Sequence, residues 1–425
     1  MKKKVSLIIL GAGGRGTIYA NLAKVMSDKV KVVAVAEPRE FFRNRIAEDH
    51  KLPKKHVFND WKDVVKLPKF ADAVVISTQD RMHVEPAIAF AELGYHILIE
   101  KPLAPDAESC RKIVEAVHKN NVLLSVCHVL RYSEYTQVIR NLVCNEAIGK
   151  ILSIQHLEPV GHWRFAHSYV RGNWRKEAES SSILLAKSIH DLDWIAFIAG
   201  QRCKAISSFG SLMYFRKENK PLGSPERCVD CNKECPYHAP SFYLERFRKK
   251  QIDSYLESVS GELTEENIME ALRTGPYGRC VFNCDNDVAD HQVVNMEFEN
   301  GMTAVFTLAG CSQYGERRTT IFGSEGEIRC DGNKIEVYSY FRDRTTEIRI
   351  EADQGTLLTH HGGGDKDCLQ SFVNAILSGD PEKIFTGADT SLETHYMVFA
   401  AEISRHERRT VLLDELRKPH AKKRK

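Results

Sequence analysis

The strongest constraint on this 425-residue chain lies near its start. Residues 5–10, Val-Ser-Leu-Ile-Ile-Leu, form an apolar run that stops at Gly11-Ala12-Gly13-Gly14-Arg15-Gly16. Residues 17–26 then carry Ile18, Leu22, Val25 and Met26 at helical spacing. This is a strand turning through Gly-x-Gly-x-x-Gly into a helix. Gly11 permits the tight turn, Gly13 lets backbone approach a pyrophosphate, and Gly16 lets the helix sit close to the strand. Amide groups at the helix start then hold phosphate charge, with Gly14 and Arg15 part of the same loop. Residues 30–36 read as a second buried strand ending in Glu37, about twenty residues past the glycines. A carboxylate there accepts adenosine ribose hydroxyls and repels a 2′-phosphate, which favours NAD over NADP, and the nearby Arg39 offsets part of that preference.

The alternation continues. Residues 41–49, 84–93 and 106–119 are helical in pattern, and residues 73–77, 96–99 and 122–127 are short apolar runs. Strands alternating with helices imply a parallel, doubly wound sheet covered on both faces. Ligands bind such sheets at the carboxyl ends of the strands. The segments there are Ser77-Thr78-Gln79, Glu100-Lys101-Pro102 and His128-Val129-Leu130-Arg131. A lysine straight after a buried strand, stiffened by a proline, points to a functional amine at Lys101.

Composition narrows the partners. Lys+Arg at 60 against Asp+Glu at 57 leaves a net +3, so no global field draws nucleic acid or anionic lipid. Three lysines before residues 5–10 imitate a signal peptide, but the apolar run breaks at Gly11, and no stretch approaches the roughly 18 apolar residues of a membrane span. The expected compartment is the cytoplasm. Seven of the 12 cysteines are scattered singly, which fits it.

After a strand-like segment at 149–157, residues 161–174 crowd aromatic, imidazole and guanidinium groups together without a regular period. Rings stack on the C–H faces of a pyranose while polar groups bind its hydroxyls. Trp163, His167, Tyr169, Arg171 and Trp174 are therefore candidate sugar contacts, with Arg131, Lys187 and His190. Ser180 to Ser182 are placed to cap a helix from Ile183. On that helix Leu184, Leu185, Ile189, Leu192, Ile195 and Ala196 share a core face, leaving Lys187, His190, Asp191 and Trp194 on the other.

Taken together, Gly11-x-Gly13-x-x-Gly16, Glu37-Pro38, Thr78 with His83, Glu100-Lys101-Pro102 and Arg131 resemble, in order and spacing, the glucose–fructose oxidoreductase / inositol dehydrogenase / rhizopine catabolism family. The resemblance implies a nicotinamide-dependent enzyme acting on sugars, cyclitols or their derivatives. The implied fold is α/β: a Rossmann domain at residues 1–128, then an α/β domain with an open, mainly antiparallel sheet at 129–425. It also implies a homodimer or homotetramer. On the cofactor side it places Thr78, His83, Glu100, Lys101 and His128 beside the glycine loop and Glu37. His190 falls on the family's catalytic histidine and Asp193 on the aspartate that follows it. The chain departs where many members have an aspartate four residues before the histidine: here stand Ala186 and then Lys187, and the glycine-rich entry has become Ser180-Ser181-Ser182.

Oxidising a secondary alcohol requires a base for the hydroxyl proton and positive charge near the developing alkoxide. Lys101 and His190 are the expected pair, with Lys187 and Asp191 tuning charge. Two rival functions remain. One is an NAD-dependent glycoside hydrolase working by transient oxidation, elimination, water addition and re-reduction. The other is a sugar sensor without turnover.

Cys228, Cys231 and Cys235 stand at two- and three-residue spacing inside a long insert at about 217–284. They suit a structural Zn²⁺ with Cys280 as fourth ligand, His238 or Cys284 serving equally. An iron–sulfur cluster and unligated thiols are the alternatives. The insert carries a charged helical stretch at 242–256 and is expected to form a flap at the substrate entrance. Residues 291–298 and 302–308 read as a hairpin, with further strands at 317–322, 326–330, 334–340 and 346–350. His360, His361 and Asp365 precede a helix at 367–377 and are placed to reach the pocket. The basic tail 420–425 is expected to be disordered.

Overall fold

Two sheets organise the chain, whose computed structural model describes residues 4–350 and 362–417. The first comprises β1 (Val5–Leu10), β2 (Val30–Ala36), β3 (Val57–Phe58), β4 (Ala73–Ile76), β5 (His96–Ile99) and β6 (Leu124–Val126). Its order is β3-β2-β1-β4-β5-β6 and every pairing is parallel. The strand order reverses between β1 and β4, and such a switch point opens a crevice at the strand carboxyl ends. The first helix, Gly14–Val25, starts inside the glycine loop. Periodicity places it later because glycines carry no apolar signal. Gly11 has φ +83°, and a Cβ on Gly16 would stand 1.9 Å from the Gly11 carbonyl oxygen, so no side chain fits there.

The second sheet comprises β7 (Ile151–Pro159), β8 (Cys203–Ser211), β9 (His291–Phe298), β10 (Thr303–Ala309), β11 (Arg318–Gly323), β12 (Gly326–Cys330), β13 (Lys334–Ser339), β14 (Arg344–Arg349) and β15 (Val411–Leu412). Its order is β14-β13-β12-β11-β7-β10-β9-β8-β15. Only β7 and β10 run parallel. Alternate residues Ile154, Val294, Met296, Ala304, Phe306, Leu308 and Ile321 share a core with the helices Ile189–Ala199 and Ala388–Glu407. The helix Gly364–Ser378 returns to the first sheet, where Cys368, Leu369, Phe372 and Val373 join Leu7 and Ile9 in one core.

The segment after Ile183 differs from its expected amphipathic helix. Leu184–Ser188 is a π-helical turn that feeds the α-helix Ile189–Ala199, and both faces are buried: Lys187, His190, Asp191 and Trp194 as well as the apolar stripe. The helix lies against β7 and the segment after β6, so its polar side faces protein. Residues 161–174 are also largely helical: an α-turn at His162–Phe165 runs into a π-helical turn at Ala166–Arg171, whose i→i+5 winding does not repeat at 3.6. In the insert, the expected helix at 242–256 is two, Ala239–Arg248 and Ser254–Val259, separated at Lys250 with φ +55°. With Glu265–Thr274 they enclose a small core of Tyr243, Leu256, Ile268, Leu272 and Tyr277.

Candidate active site

The cofactor cradle is the outer surface of the glycine loop. A Cβ on Gly13 would touch only the Arg39 side chain, at 3.4 Å, and one on Gly14 only that of Ser254, at 3.6 Å, so side chains rather than backbone cover the loop that a dinucleotide pyrophosphate would approach. Buried Glu37 ends β2. It accepts from the Ala12 amide at 2.8 Å and from Arg39 Nε at 2.7 Å and Nη2 at 3.1 Å. Burial alone raises its pKa, but the bonds from Arg39 and Ala12 outweigh it and hold the carboxyl below its usual range. The residues fit NAD.

Four expected cofactor contacts, Arg15, Glu100, His83 and Thr78, have partners within the protein. Arg15 turns inward, with Nε 2.6 Å from Glu100 Oε1 and Nη2 bonded to Tyr19 and Asp365. Tyr19 donates to the same Glu100 oxygen at 3.0 Å, so Arg15 and Glu100 clamp the glycine helix to the end of β5 and to the helix Gly364–Ser378. Asp365 thus serves this clamp. Buried His83 has Nδ1 2.7 Å from the Pro102 carbonyl oxygen and Nε2 3.2 Å from that of Thr78, joining two strand-end loops. Thr78 Oγ1 reaches Met82 O at 3.4 Å. His360 and His361 lie outside the described residues, as does the tail 420–425.

Lys101 forms the floor. Its Nζ donates to the Ala186 carbonyl at 2.7 Å, so this position, where the resemblance implies an aspartate, meets the lysine with a backbone oxygen. Burial depresses the Lys101 amine, Arg15 and Arg164 add to this, and Glu100 and Asp80 oppose it. Next along this wall stands His190, whose ring centre is 6.2 Å from that of His128. His128 is fully buried, neither ring nitrogen has a partner, and burial pushes its pKa down to about 4. Behind it His395 Nε2 accepts from the Leu103 amide at 2.8 Å, and its Nδ1 lies 2.7 Å from Ser391 O.

A chain of charges leads away from the floor. Lys187 Nζ lies 2.6 Å from Glu158, Glu158 is 3.0 Å from Arg317, and Arg317 is 2.5 Å from Asp191, whose Oδ1 also meets His156 Nε2 at 3.1 Å. Asp191 Oδ2 is buried without a partner. Burial, with Arg317 and Arg164, brings Lys187 down to about 8 against the opposing pull of Glu158. Arg317 and His156 keep Asp191 ionised despite burial, well below the usual carboxylate range. Of the three serines, Ser180 and Ser181 donate to Asp80 at 3.2 and 2.8 Å, and only Ser182 caps, accepting from the Leu185 amide at 3.3 Å.

Arg131 is not presented to a substrate: it is buried and grips Asp193 with Nε at 2.7 Å and Nη2 at 2.6 Å. Arg171 is likewise committed, to Arg279 O at 2.8 Å, Tyr237 O at 2.7 Å and the Cys228 sulfur at 3.4 Å. His167 sits inside the insert's packing, with Nδ1 2.6 Å from the Tyr243 hydroxyl and its ring stacked 4.6 Å from Tyr277. Buried Tyr169 packs on Phe165, with Trp174 6.5 Å away. Trp163 stays partly exposed among Phe242, Tyr255 and Tyr314, each 5.3 Å off, and these rings make the roof.

Cys228, Cys235, Cys280 and Cys284 come near enough to act on one another's thiols, but no three of their sulfurs meet within 4.8 Å. Among the described residues the single group of three ligand atoms within 4.8 Å of one another is Glu177, Glu402 and His406, and Arg405 already bonds both carboxylates. Cys228, Cys231, Cys235 and Cys280 remain free thiols: Cys228 takes the Arg171 donor, Cys235 accepts from the Tyr237 amide at 3.4 Å, and His238 is held by Ser241 and Cys228 O. The expected zinc ligands are thus not among the groups whose ligand atoms lie within 4.8 Å of one another.

Sequence reasoning missed Glu158, Arg317, Asp80, Arg164 and His395. One signal existed for Glu158: Ile154, His156 and Glu158 alternate along the buried face of β7, and a strand interior that turns polar at its end marks a site.

Two family descriptions match the chain: "Oxidoreductase family, NAD-binding Rossmann fold" over residues 5–128, and "Oxidoreductase family, C-terminal alpha/beta domain" over 140–413. Myo-inositol 2-dehydrogenase of Thermotoga maritima is 23% identical over 96% of this chain and 98% of its own length. The 2,7-anhydro-N-acetylneuraminate hydratase of Escherichia coli is 28% identical, but over 48% of this chain and 53% of its own. A levoglucosan dehydrogenase solved with NADH and levoglucosan shares the fold, with TM-score 0.72 and 17% identity over 97% of this chain and all of that one. Among the described residues no helix is long and apolar enough to cross a membrane.

Proposed function

The chain belongs to the GFO_IDH_MocA oxidoreductase family, and from that premise we propose that it acts on a ring hydroxyl of a sugar or glycoside with NAD. The observation that carries this reading is the Lys101–Ala186 contact at 2.7 Å, which sets a depressed amine from the end of β5 against the turn that leads into His190. NAD held by Gly11, Gly13, Gly14, Gly16 and Glu37 supplies the hydride acceptor. Lys101, in its neutral form, takes the hydroxyl proton, and His190 bridges the hydroxyl and passes that proton on. The charged chain from Lys187 to Asp191 orients neighbouring hydroxyls, with Asp191 Oδ2 as a ready acceptor. The names of the relatives, an inositol dehydrogenase and a levoglucosan dehydrogenase, support a polyhydroxylated ring as substrate.

A redox-neutral hydrolysis or hydration, with NAD kept through the cycle, is the second reading, and the insert favours it. Ser254 Cβ stands 3.6 Å from where a Gly14 Cβ would be, and Arg45, bonded to Thr17 at 3.0 Å, reaches Glu257 at 3.8 Å. The insert thus lies over the cradle and would hinder cofactor exchange. A homo-oligomer through the outer face of the second sheet fits the exposure of Leu152 at 56% and Phe209 at 63%.

The test is a panel of sugars and α- and β-glycosides with and without added NAD, following absorbance at 340 nm and released aglycone. Accumulating NADH without aglycone supports oxidation. Aglycone without net NADH supports the redox-neutral cycle, and neither signal sinks both.

A further inference from the structure

Four guanidinium groups around the pocket have acceptors. Arg15 holds Glu100 and Asp365, Arg131 holds Asp193, Arg171 holds two carbonyls, and Arg317 holds Glu158 and Asp191. Arg164 differs. It rises from the turn His162–Phe165, and its guanidinium carbon lies 5.9 Å from the ring centres of both Tyr255 and Tyr314. Among the described residues it has no hydrogen bond and no carboxylate within ion-pair reach. A partly buried guanidinium clasped by two rings has lost part of its water and gained no acceptor, a costly state unless a ligand brings one. Its neighbours show which end of the crevice it serves: its charge is felt at both Lys101 and Lys187, lowering each amine.

We propose that Arg164 is a specificity-determining residue that receives the carboxylate of an acidic sugar, a uronic acid or its glycoside, while Lys101 and His190 work on a ring hydroxyl. The proposal rests on the sugar reading above. A planar fork of N–H donors matches a carboxylate in two parallel bonds, and its one negative charge balances the one positive charge of Arg164. Tyr255 belongs to the insert and Tyr314 to the loop before β11, so the fork is aimed only when both elements are in place.

The experiment compares matched pairs: glucuronate with glucose, galacturonate with galactose, and a nitrophenyl glucuronide with the corresponding glucoside. Hydride transfer and aglycone release are read on the wild type, Arg164→Gln and Arg164→Lys. Glucose 6-phosphate forms a third arm, and NAD affinity is measured separately. The expected result is a kcat/KM for the acid about thirty-fold above that for its neutral partner, the size of one charge-assisted pair. Arg164→Gln should bring that ratio near one through KM for the acid, with NAD affinity unchanged and any fall in turnover shared equally by acid and neutral sugar, because the lost charge also acts on the Lys101 amine. Arg164→Lys should fall between. Equal use of acid and neutral sugar by the wild type, or a preference that survives in Arg164→Gln, overturns the proposal while leaving the sugar reading standing. So does a stronger preference for the phosphate, or a loss of NAD affinity in the variant. No reaction with any member of any pair sinks the sugar reading, and the proposal with it.

Discussion

Lys187, in the floor of the pocket, is gripped by Glu158 at 2.6 Å, and that carboxylate is gripped in turn by Arg317. Trp163, in the roof, packs on three aromatic rings at 5.3 Å, and among the described residues no hydrogen bond from its side chain holds it. The floor is dry and directional: removing one partner strands a buried charge. The roof is held by dispersion and ring quadrupoles, which tolerate sliding and small rotations. It also rests on a small core of its own, whereas the floor draws on strand ends of both sheets. Chemistry that needs fixed distances is on the rigid side, and recognition that must fit a ring is on the adaptable side.

The largest effect expected is on rate. Lys101→Ala should lower kcat/KM by about 10³-fold, within the range for a lost acid–base group, while circular dichroism and NAD affinity stay as in the wild type. A loss below about tenfold would remove Lys101 from the chemistry. Next comes stability. Arg131→Leu leaves Asp193 buried with only Thr394 as partner at 2.9 Å, and should cost about 3–5 kcal/mol in urea unfolding. The double variant Arg131→Leu with Asp193→Leu should recover part of that loss.

Two buried histidines let floor and roof be compared by pH. Burial holds His128 at about 4 and His167 at about 3, against 6.5 for a free imidazole. The unfolded chain therefore binds a proton at each site that the folded chain refuses, so stability is lost as pH falls from 6.5 towards 4. Each site should contribute about 1.4 kcal/mol per pH unit in that window. His128→Asn should remove its full share from the slope. If the roof opens before the whole molecule unfolds, His167 will take its proton at a higher pH than His128, which imidazole NMR titration would read directly.

The parallel sheet was legible because its strands are short apolar runs between helices, a pattern set by burial on both faces. Glu37 and the pair Glu100-Lys101 were legible for a related reason: they open the polar segments after such runs. The rest of the site was less so. Lys187, His190 and Asp191 look like a solvated helix face until β7 and the segment after β6 are laid against them, and no local period encodes that. Arg131, Arg171 and His167 have the chemistry of sugar ligands, yet each finds its partner more than fifty residues away in sequence. The thiols at 228–235 have metal-like spacing, and the fold adds what the spacing does not show, a donor from Arg171 on Cys228 and one from the Tyr237 amide on Cys235.

The smallest effect bears on the roof itself. Trp163→Leu removes one face of the ring cluster but leaves Phe242, Tyr255 and Tyr314 to close on the gap, and no charge is stranded. The melting temperature should therefore barely move. KM for the sugar should rise about fivefold with kcat unchanged, because a stacking contact of about 1 kcal/mol is present equally in ground and transition states. If kcat falls with KM constant, Trp163 acts on the reacting geometry, and the division between a rigid floor and an adaptable roof fails at its clearest residue. If neither changes, the sugar does not touch this ring and the roof serves the cofactor, which the same variant would show as faster loss of bound NAD.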